Sequence, residues 1–368
     1  MTRTDTIVRA AKVLRQAGIV NPTRLVKLIQ DAIAFFQLDL SGQTVLTEAA
    51  SGPYVVTPII ASLAGAKSVM ALTRDSRYAN VKDVIKQTRA LEELCGVEHY
   101  IEIHTRPRSL DLFRQADIVT NLGFVRPIDA EVVKAMKATA VIPLMCEAWE
   151  FRPDDVDLLA CQAKGVAVLG TNEDCPGLTV FDFSGSLCIK MLLEMKIEIY
   201  KNKIAVISSD KFGVVIEKYL KAVGAEVGRF ENLKCNKTKK FLKDVDVVVI
   251  ADYTSSEVFI GNGGQISGDE LLELSPAISV LQFSGIVEVE QLDIVGIPYF
   301  PPYKVGAVRM GMTLADLGPK PVIDLHTAGL KVGELMVEAR KLKDNGKCFE
   351  DTVVAEGAWA GLAQKVEC

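Results

Sequence analysis

His326 stands in the run Val322-Ile323-Asp324-Leu325-His326-Thr327-Ala328-Gly329, at the predicted end of a strand and just before a long helix. In open α/β sheets that is where ligands and reacting groups collect. An unperturbed imidazole titrates near pH ~6.5, so it could act as a general acid or base around neutrality. The structural alternative is a buried histidine bonded to a backbone carbonyl. Farther up the chain, Cys146-Glu147-Ala148-Trp149-Glu150 sets a carboxylate, Glu147, beside an indole, Trp149, able to stack on a ring or a cation. Cys146 and Cys175 carry thiols, with no base identifiable as their partner. His99 and His104 flank a predicted strand and read as surface or structural groups. Gly261-Asn262-Gly263-Gly264 reads as a hairpin or loop, not as a phosphate cradle.

The elements that must position these groups follow an alternating pattern. Residues 5–37 read as two helices, the second opened by Asn21 before Pro22. Predicted strands at 44–47, 68–73, 98–103, 117–120, 140–144 and 166–169 alternate with helical patterns at 54–64, 80–95, 129–137 and 154–163. A helical stretch at 178–195 leads into a second series. It has strands at 203–207, 226–230, 245–250 and 278–283, with helices at 212–223 and 269–274. Residues 296–321, rich in Gly and Pro, read as loop, followed by a strand at 322–325, a helix at 329–343 and a terminal helix near 351–364. The expectation is an α/β protein with two Rossmann-like, doubly wound parallel-sheet domains.

Bulk properties narrow the function classes. The 368 residues carry 42 Lys and Arg against 47 Asp and Glu, a net charge of −5, and are 49% hydrophobic. The longest basic run, Lys234 to Lys243, is interleaved with Asn and Thr, so no nucleic-acid partner is expected. The first residues lack the apolar stretch of a secretory signal, and no run reaches the roughly 20 apolar residues of a membrane span. Eight cysteines without CxxC spacing and three histidines give little support to a metal site. The expected setting is the reducing cytoplasm, with a small-molecule substrate and no membrane partner.

Ala116-Asp117-Ile118-Val119-Thr120, Val132-Val133-Lys134-Ala135-Met136-Lys137, Asp155-Val156-Asp157 and Gly165-Val166-Ala167-Val168 form an ordered set. They resemble the end of the outer domain of the D-2-hydroxyacid dehydrogenase superfamily, which has the S-adenosylhomocysteine hydrolases as relatives of similar layout. Lys203-Ile204-Ala205-Val206-Ile207 resembles the first strand of its cofactor domain. Ser284-Gly285 falls where the superfamily has its Arg-Gly catalytic turn, and His326 where it has its Pro-His signature. The resemblance implies an outer domain from residues 1–190 plus 322–368, an inner domain at 195–320, and two long crossing helices that join them. It also implies NAD or NADP as cofactor, a homodimer, and a cleft that holds His326.

Four positions depart from that pattern. The phosphate loop, G-x-G-x-x-G in a dinucleotide site, reads Ser208-Ser209-Asp210-Lys211-Phe212-Gly213, so only Gly213 survives and Asp210 brings a negative charge. Glu231, at the end of the following strand, could still hold a ribose hydroxyl. Ser284 replaces the arginine that would pair a carboxylate. Glu147 and Trp149 replace a glycine-rich turn that binds the substrate carboxylate, and the usual Glu partner of the histidine has candidates only in Glu288 and Glu290. These changes remove a positive charge and add negative ones, so the expected substrate is neutral or cationic. Arg309 is a candidate replacement for the lost cation.

A second resemblance lies in Val45-Leu46-Thr47-Glu48-Ala49-Ala50-Ser51-Gly52-Pro53-Tyr54, which is similar to the first motif of class I methyltransferases. It would assign Gly52 and Asp75 to S-adenosylmethionine. Close packing of small residues at a helix start is the alternative. Three functions therefore stand open: an NAD(P)-dependent oxidoreductase acting on something other than a simple 2-hydroxy acid, an S-adenosylmethionine-dependent transferase, and a non-catalytic ligand-binding or regulatory protein.

Overall fold

Runs of buried Val, Ile and Leu bounded by turn residues form parallel strands covered on both faces, as such composition dictates. The computed structural model describes residues 3–97, 101–105, 109–341, 349–355 and 357–366. They fall into two units, the first built from Met1–Thr179 with Pro319–Cys368 and the second from Val180–Gly318.

The first unit holds a seven-stranded sheet. Its strands are β1 (Thr44–Glu48), β2 (Ser68–Leu72), β3 (Ile101–His104), β4 (Ile118–Val119), β5 (Val141–Pro143), β6 (Ala167–Thr171) and the C-terminal β14 (Ala363–Lys365). They lie in the order β3-β2-β1-β4-β5-β6-β14, parallel except for β14, which runs antiparallel to β6. On one face, Leu46, Met70, Val119, Ile142 and Val168 pack against Phe113, Val132 and Cys161. The other face receives the helices Val56–Leu63 and Pro319–Lys341. Gly333 of the long helix lets it close on the sheet, since a Cβ there would come within 3.0 Å of Ile118 and Pro143. Asn21 and Asn80 cap their helices by accepting from the N–H groups of Arg24 (3.0 Å) and Asp83 (2.9 Å).

In the second unit β7 (Lys203–Ile207), β8 (Glu226–Phe230), β9 (Val247–Ala251), β11 (Ser279–Ser284) and β13 (Tyr299–Phe300) form a parallel sheet in the order β8-β7-β9-β11-β13. The short β10 (Val258–Ile260) and β12 (Ile286–Val287) pair beside it. β9 is buried along its whole length. One face of the sheet packs against helices Asp182–Glu194 and Lys211–Ala222, the other against Gly268–Leu274 and Val289–Val295.

The α/β class and paired parallel sheets agree with the sequence expectation, and three local features differ. Residues 322–325 are not a strand but lie inside the helix Pro319–Lys341, which begins within the segment expected to be loop. Pro319 and Pro321 sit in its first turn, where a missing N–H removes no helical bond. The expected terminal helix is a short helix, Phe349–Ala355, followed by β14. Residues 98–100, 342, 343 and 356 of the expected elements lie outside the described residues, as do His99, Cys348 and Cys368. The division between units falls at Thr179/Val180 and Gly318/Pro319, not near 190 and 322. Helix Asp182–Glu194 belongs with the second sheet because Phe181 packs on Phe212 (5.1 Å between ring centroids) and Gly185 on Tyr219. Among the described residues no helix is long and apolar enough to cross a membrane.

Gly185 gives this packing a test. A Cβ there would lie 2.3 Å from Cγ of Tyr219, a rigid ring atom. Ala ordinarily stabilises a helix relative to Gly by about 1 kcal/mol. Here overpacking should dominate, so Gly185→Ala is expected to destabilise by about 1–3 kcal/mol in a denaturant melt. A gain in stability would show that the two helices do not approach this closely.

Candidate functional site

In an open α/β sheet the ligand crevice opens beyond the carboxyl ends of the strands, where the strand order reverses. In the second unit that point lies between β7 and β9. Ser208, buried after β7, accepts from the N–H of Gly213 (3.1 Å) and donates to Asp210 Oδ1 (3.0 Å). Asp210 caps helix Lys211–Ala222: its Oδ1 accepts from the N–H of Phe212 (2.9 Å) and its Oδ2 from the N–H of Tyr253 (2.7 Å). Asp252, just beyond β9, accepts through Oδ2 from the N–H and the hydroxyl of Ser209 (2.8 and 2.6 Å). Its Oδ1 accepts from the N–H of Ser255 (2.9 Å). Burial, more than the nearby Asp252, raises the Asp210 carboxyl above its ordinary range, against the pull of its hydrogen bonds.

Backbone donors at such a loop and helix start are what grip a pyrophosphate in a dinucleotide fold. Here the chain's own carboxylates and Ser208 take up those donors, and the loop as it stands does not fit a pyrophosphate. Gly213 is retained for another reason, because a Cβ there would lie 2.4 Å from Cβ of Ser208. Close packing of loop on helix requires the glycine, whatever the ligand.

The remaining candidates of this unit are dispersed. Glu231 follows β8 and is exposed, at the strand end where a ribose acceptor would stand. Ser284 ends β11, fully buried, with no hydrogen-bond partner for its hydroxyl among the described residues. Gly285 beside it has φ +86°, and a Cβ there would press to 3.0 Å from the Asp252 carbonyl oxygen. Arg309 is exposed in the loop. Glu288 accepts from the N–H of Asn262 (2.7 Å) and so fastens the Gly261–Gly264 turn.

In the first unit His326 lies within a helix, 3% exposed. Its Nδ1 is 2.6 Å from Oγ1 of Thr57, and the Tyr54 ring lies 6.0 Å away between centroids. Within the first unit, Thr57 is the hydrogen-bond partner of this imidazole. Burial pushes its pKa down to about 4, so it is neutral at pH 7 and holds no dissociable proton in the acid–base range expected for it. Glu147 is buried too. It accepts from the N–H of Glu173 (3.1 Å) and from the Trp149 indole N–H, while its own N–H donates to Glu150 (3.2 Å). Glu147 and Glu150, each side chain accepting from the other's backbone N–H, form the capping box of the short 3₁₀ turn Ala148–Glu150, a structural duty for a carboxylate expected to face substrate. Trp149 remains 41% exposed. Burial pushes the Cys146 thiol up to about 12 and raises Cys175, so neither supplies a thiolate near neutrality.

The two residues assigned to S-adenosylmethionine are engaged locally. Gly52 donates its N–H to Gln87 Oε1 (3.1 Å), and Asp75 accepts from the N–H of Val81 (2.7 Å) at the start of helix Val81–Cys95. Glu48 is the buried acid at this unit's order reversal. It accepts from the N–H of Phe124 (2.9 Å), and burial raises its carboxyl against Arg126 and Arg74. Thr57 and Asp252 were not among the sequence candidates. An acid closing a strand could have pointed to Asp252, whereas nothing local in the sequence ties Thr57 to His326.

No protein-family model matches the sequence, and no curated protein matches it. The structure is similar to that of a dipicolinate synthase polypeptide from Bacillus halodurans, with a TM-score of 0.51 at 13% identity, covering 82% of this chain and 98% of that one. It is also similar to a dipicolinate synthase polypeptide from Bacillus subtilis, with a TM-score of 0.50 at 11% identity, covering 83% and 99%. The likeness to these two structures is one of fold. Against the pattern of a dinucleotide fold, the loop after β7 is the clearest departure in chemistry.

The buried imidazole predicts a pH dependence. The unfolded chain binds this proton near 6.5 and the folded chain only near 4, so the unfolded state holds more protons between those values. Acidification from pH 6.5 to 4 should therefore withdraw on the order of 3 kcal/mol of stability. Since the raised carboxyls Asp210 and Glu48 act in the opposite direction, the measurement is a difference: denaturant melts of the wild type and His326→Gln across this range. Parallel curves would show that His326 is not a buried neutral group.

Proposed function

We propose that this chain is an oxidoreductase acting on a small neutral or cationic metabolite, and not on a simple 2-hydroxy acid. The fold supports the class by analogy. The observation that carries the substrate half is the pair Asp210 and Asp252 at the order reversal of the second sheet, together with a hydroxyl, Ser284, where an arginine would grip a carboxylate. A carboxylate ligand brought to about 4 Å from such a group meets roughly 1–4 kcal/mol of repulsion between bulk water and a near-surface dielectric. NAD or NADP is the cofactor this class implies. Glu231 suits a ribose hydroxyl, while the loop at Asp210 opposes the pyrophosphate, so the nucleotide is expected to bind weakly to the wild type. His326 and Trp149 are proposed to contact the substrate, and a cytoplasmic homodimer is part of the same reading.

A second reading, a non-catalytic ligand-binding or regulatory protein, is favoured by the self-bonded loop itself. The S-adenosylmethionine-dependent transferase has no such observation in its favour, since Gly52 and Asp75 already serve Gln87 and Val81.

A thermal-shift titration with NAD, NADP, S-adenosylmethionine and S-adenosylhomocysteine separates these readings, because a ligand that binds the folded state raises its stability by mass action. The expected result is a small shift with NAD or NADP in the wild type. A tenfold or greater tightening is expected in Asp210→Ala, which removes about 1.4 kcal/mol or more of opposition and frees the N–H groups of Phe212 and Tyr253. No shift in either protein would favour the non-catalytic reading. A response confined to the sulfonium and its product would sink the oxidoreductase.

A further inference from the structure

The contact between Thr57 and His326 has a polarity that the neighbouring bonds reveal. A threonine inside a helix commonly turns its hydroxyl proton to the carbonyl one turn back. Thr88 does so to Val84 (2.9 Å) and Thr327 to Ile323 (2.6 Å). Thr57, in helix Val56–Leu63 and fully buried, makes no such bond among the described residues. Its Oγ1 meets His326 Nδ1 at 2.6 Å, and that ring nitrogen is its one acceptor among the described residues. Were Nδ1 to carry the proton and donate, the buried hydroxyl hydrogen would be left without an acceptor, at the full desolvation cost of that group.

We infer that Thr57 donates to Nδ1 and holds His326 as the neutral Nε2–H tautomer, so that the imidazole offers a ligand a hydrogen-bond donor for a carbonyl or hydroxyl oxygen, and not a base. Nε2 has no hydrogen-bond partner among the described residues, and its proton therefore calls for an oxygen acceptor from a ligand or water. The Tyr54 ring packs beside the imidazole and limits its freedom to turn. Burial, which disfavours the charged form, keeps a second proton off the ring at neutrality. Thr57 is thus a positioning residue that acts through His326. The ligand half of this inference rests on the oxidoreductase reading, which supplies a carbonyl or alcohol, but the tautomer does not.

Long-range ¹H–¹⁵N spectra of the full-length ¹⁵N-labelled protein at neutral pH decide it, with the His326 signals assigned by their loss in His326→Gln. The expected pattern is a pyridine-type Nδ1 and a pyrrole-type Nε2, kept in Thr57→Ser and lost or mixed in Thr57→Val. A protonated Nδ1 in the wild type would overturn the inference, as would a Thr57→Val spectrum unchanged from wild type. If Thr57→Val does not fold, the wild-type and Thr57→Ser spectra still give the answer. No substrate or nucleotide is needed, so failure of the oxidoreductase in the ligand titration leaves this result readable.

Discussion

The carboxylate of Asp210 ties three parts of the second unit together: the loop after β7 through Ser208, the first turn of helix Lys211–Ala222 through Phe212, and the segment after β9 through Tyr253. A phosphate would make the same kind of contacts, because both present oxygen acceptors to backbone donors at a positive helix end. A side chain covalently tethered at the right place forfeits less freedom than a diffusing ligand, so it holds the donors continuously. Asp252 repeats the device on Ser209 and Ser255. The crevice of the second sheet is therefore acidic and self-bonded, and its demands on a ligand follow from that.

The first unit organises its chemistry differently. Its sheet has the strand order 3-2-1-4-5-6 of dinucleotide folds, extended by an antiparallel edge. Yet the acid at its order reversal, Glu48, is enclosed and bonded to Phe124. His326 lies instead on a helix packed across the sheet, held by Thr57. A neutral imidazole in such a place can polarise an oxygen without exchanging its proton.

Much of the architecture was legible because buried parallel strands are written as short apolar runs, as at Val247–Ala251 and Lys203–Ile207. The run 322–325 misled for the same reason. Val322 and Ile323 are β-branched and follow Gly and Pro, but the helix Pro319–Lys341 is buried round most of its surface and shows no clean polar face. The site was legible where a residue type clashed with its position. Asp210 in a phosphate loop was such a clash, and its bonding explains it. Glu147 also read as an intruder, but its meaning, a capping box closed by Glu150, depends on a local turn and not on a ligand. The Thr57–His326 pair joins positions far apart in the chain, and no spacing rule could have paired them.

The first unit is drawn from sequence on both sides of the second. Helix Pro319–Lys341 and strand β14 are made after Val180–Gly318. During synthesis the five parallel strands of the inserted unit can condense while the earlier sheet still lacks one of its covering helices and its outermost strand. Until the tail arrives, the β6 edge and the apolar face around Ile118 and Pro143 stand open to other chains. The antiparallel tail is thus a late-arriving seal, and the nascent protein passes through an interval in which association with a neighbour competes with its own completion.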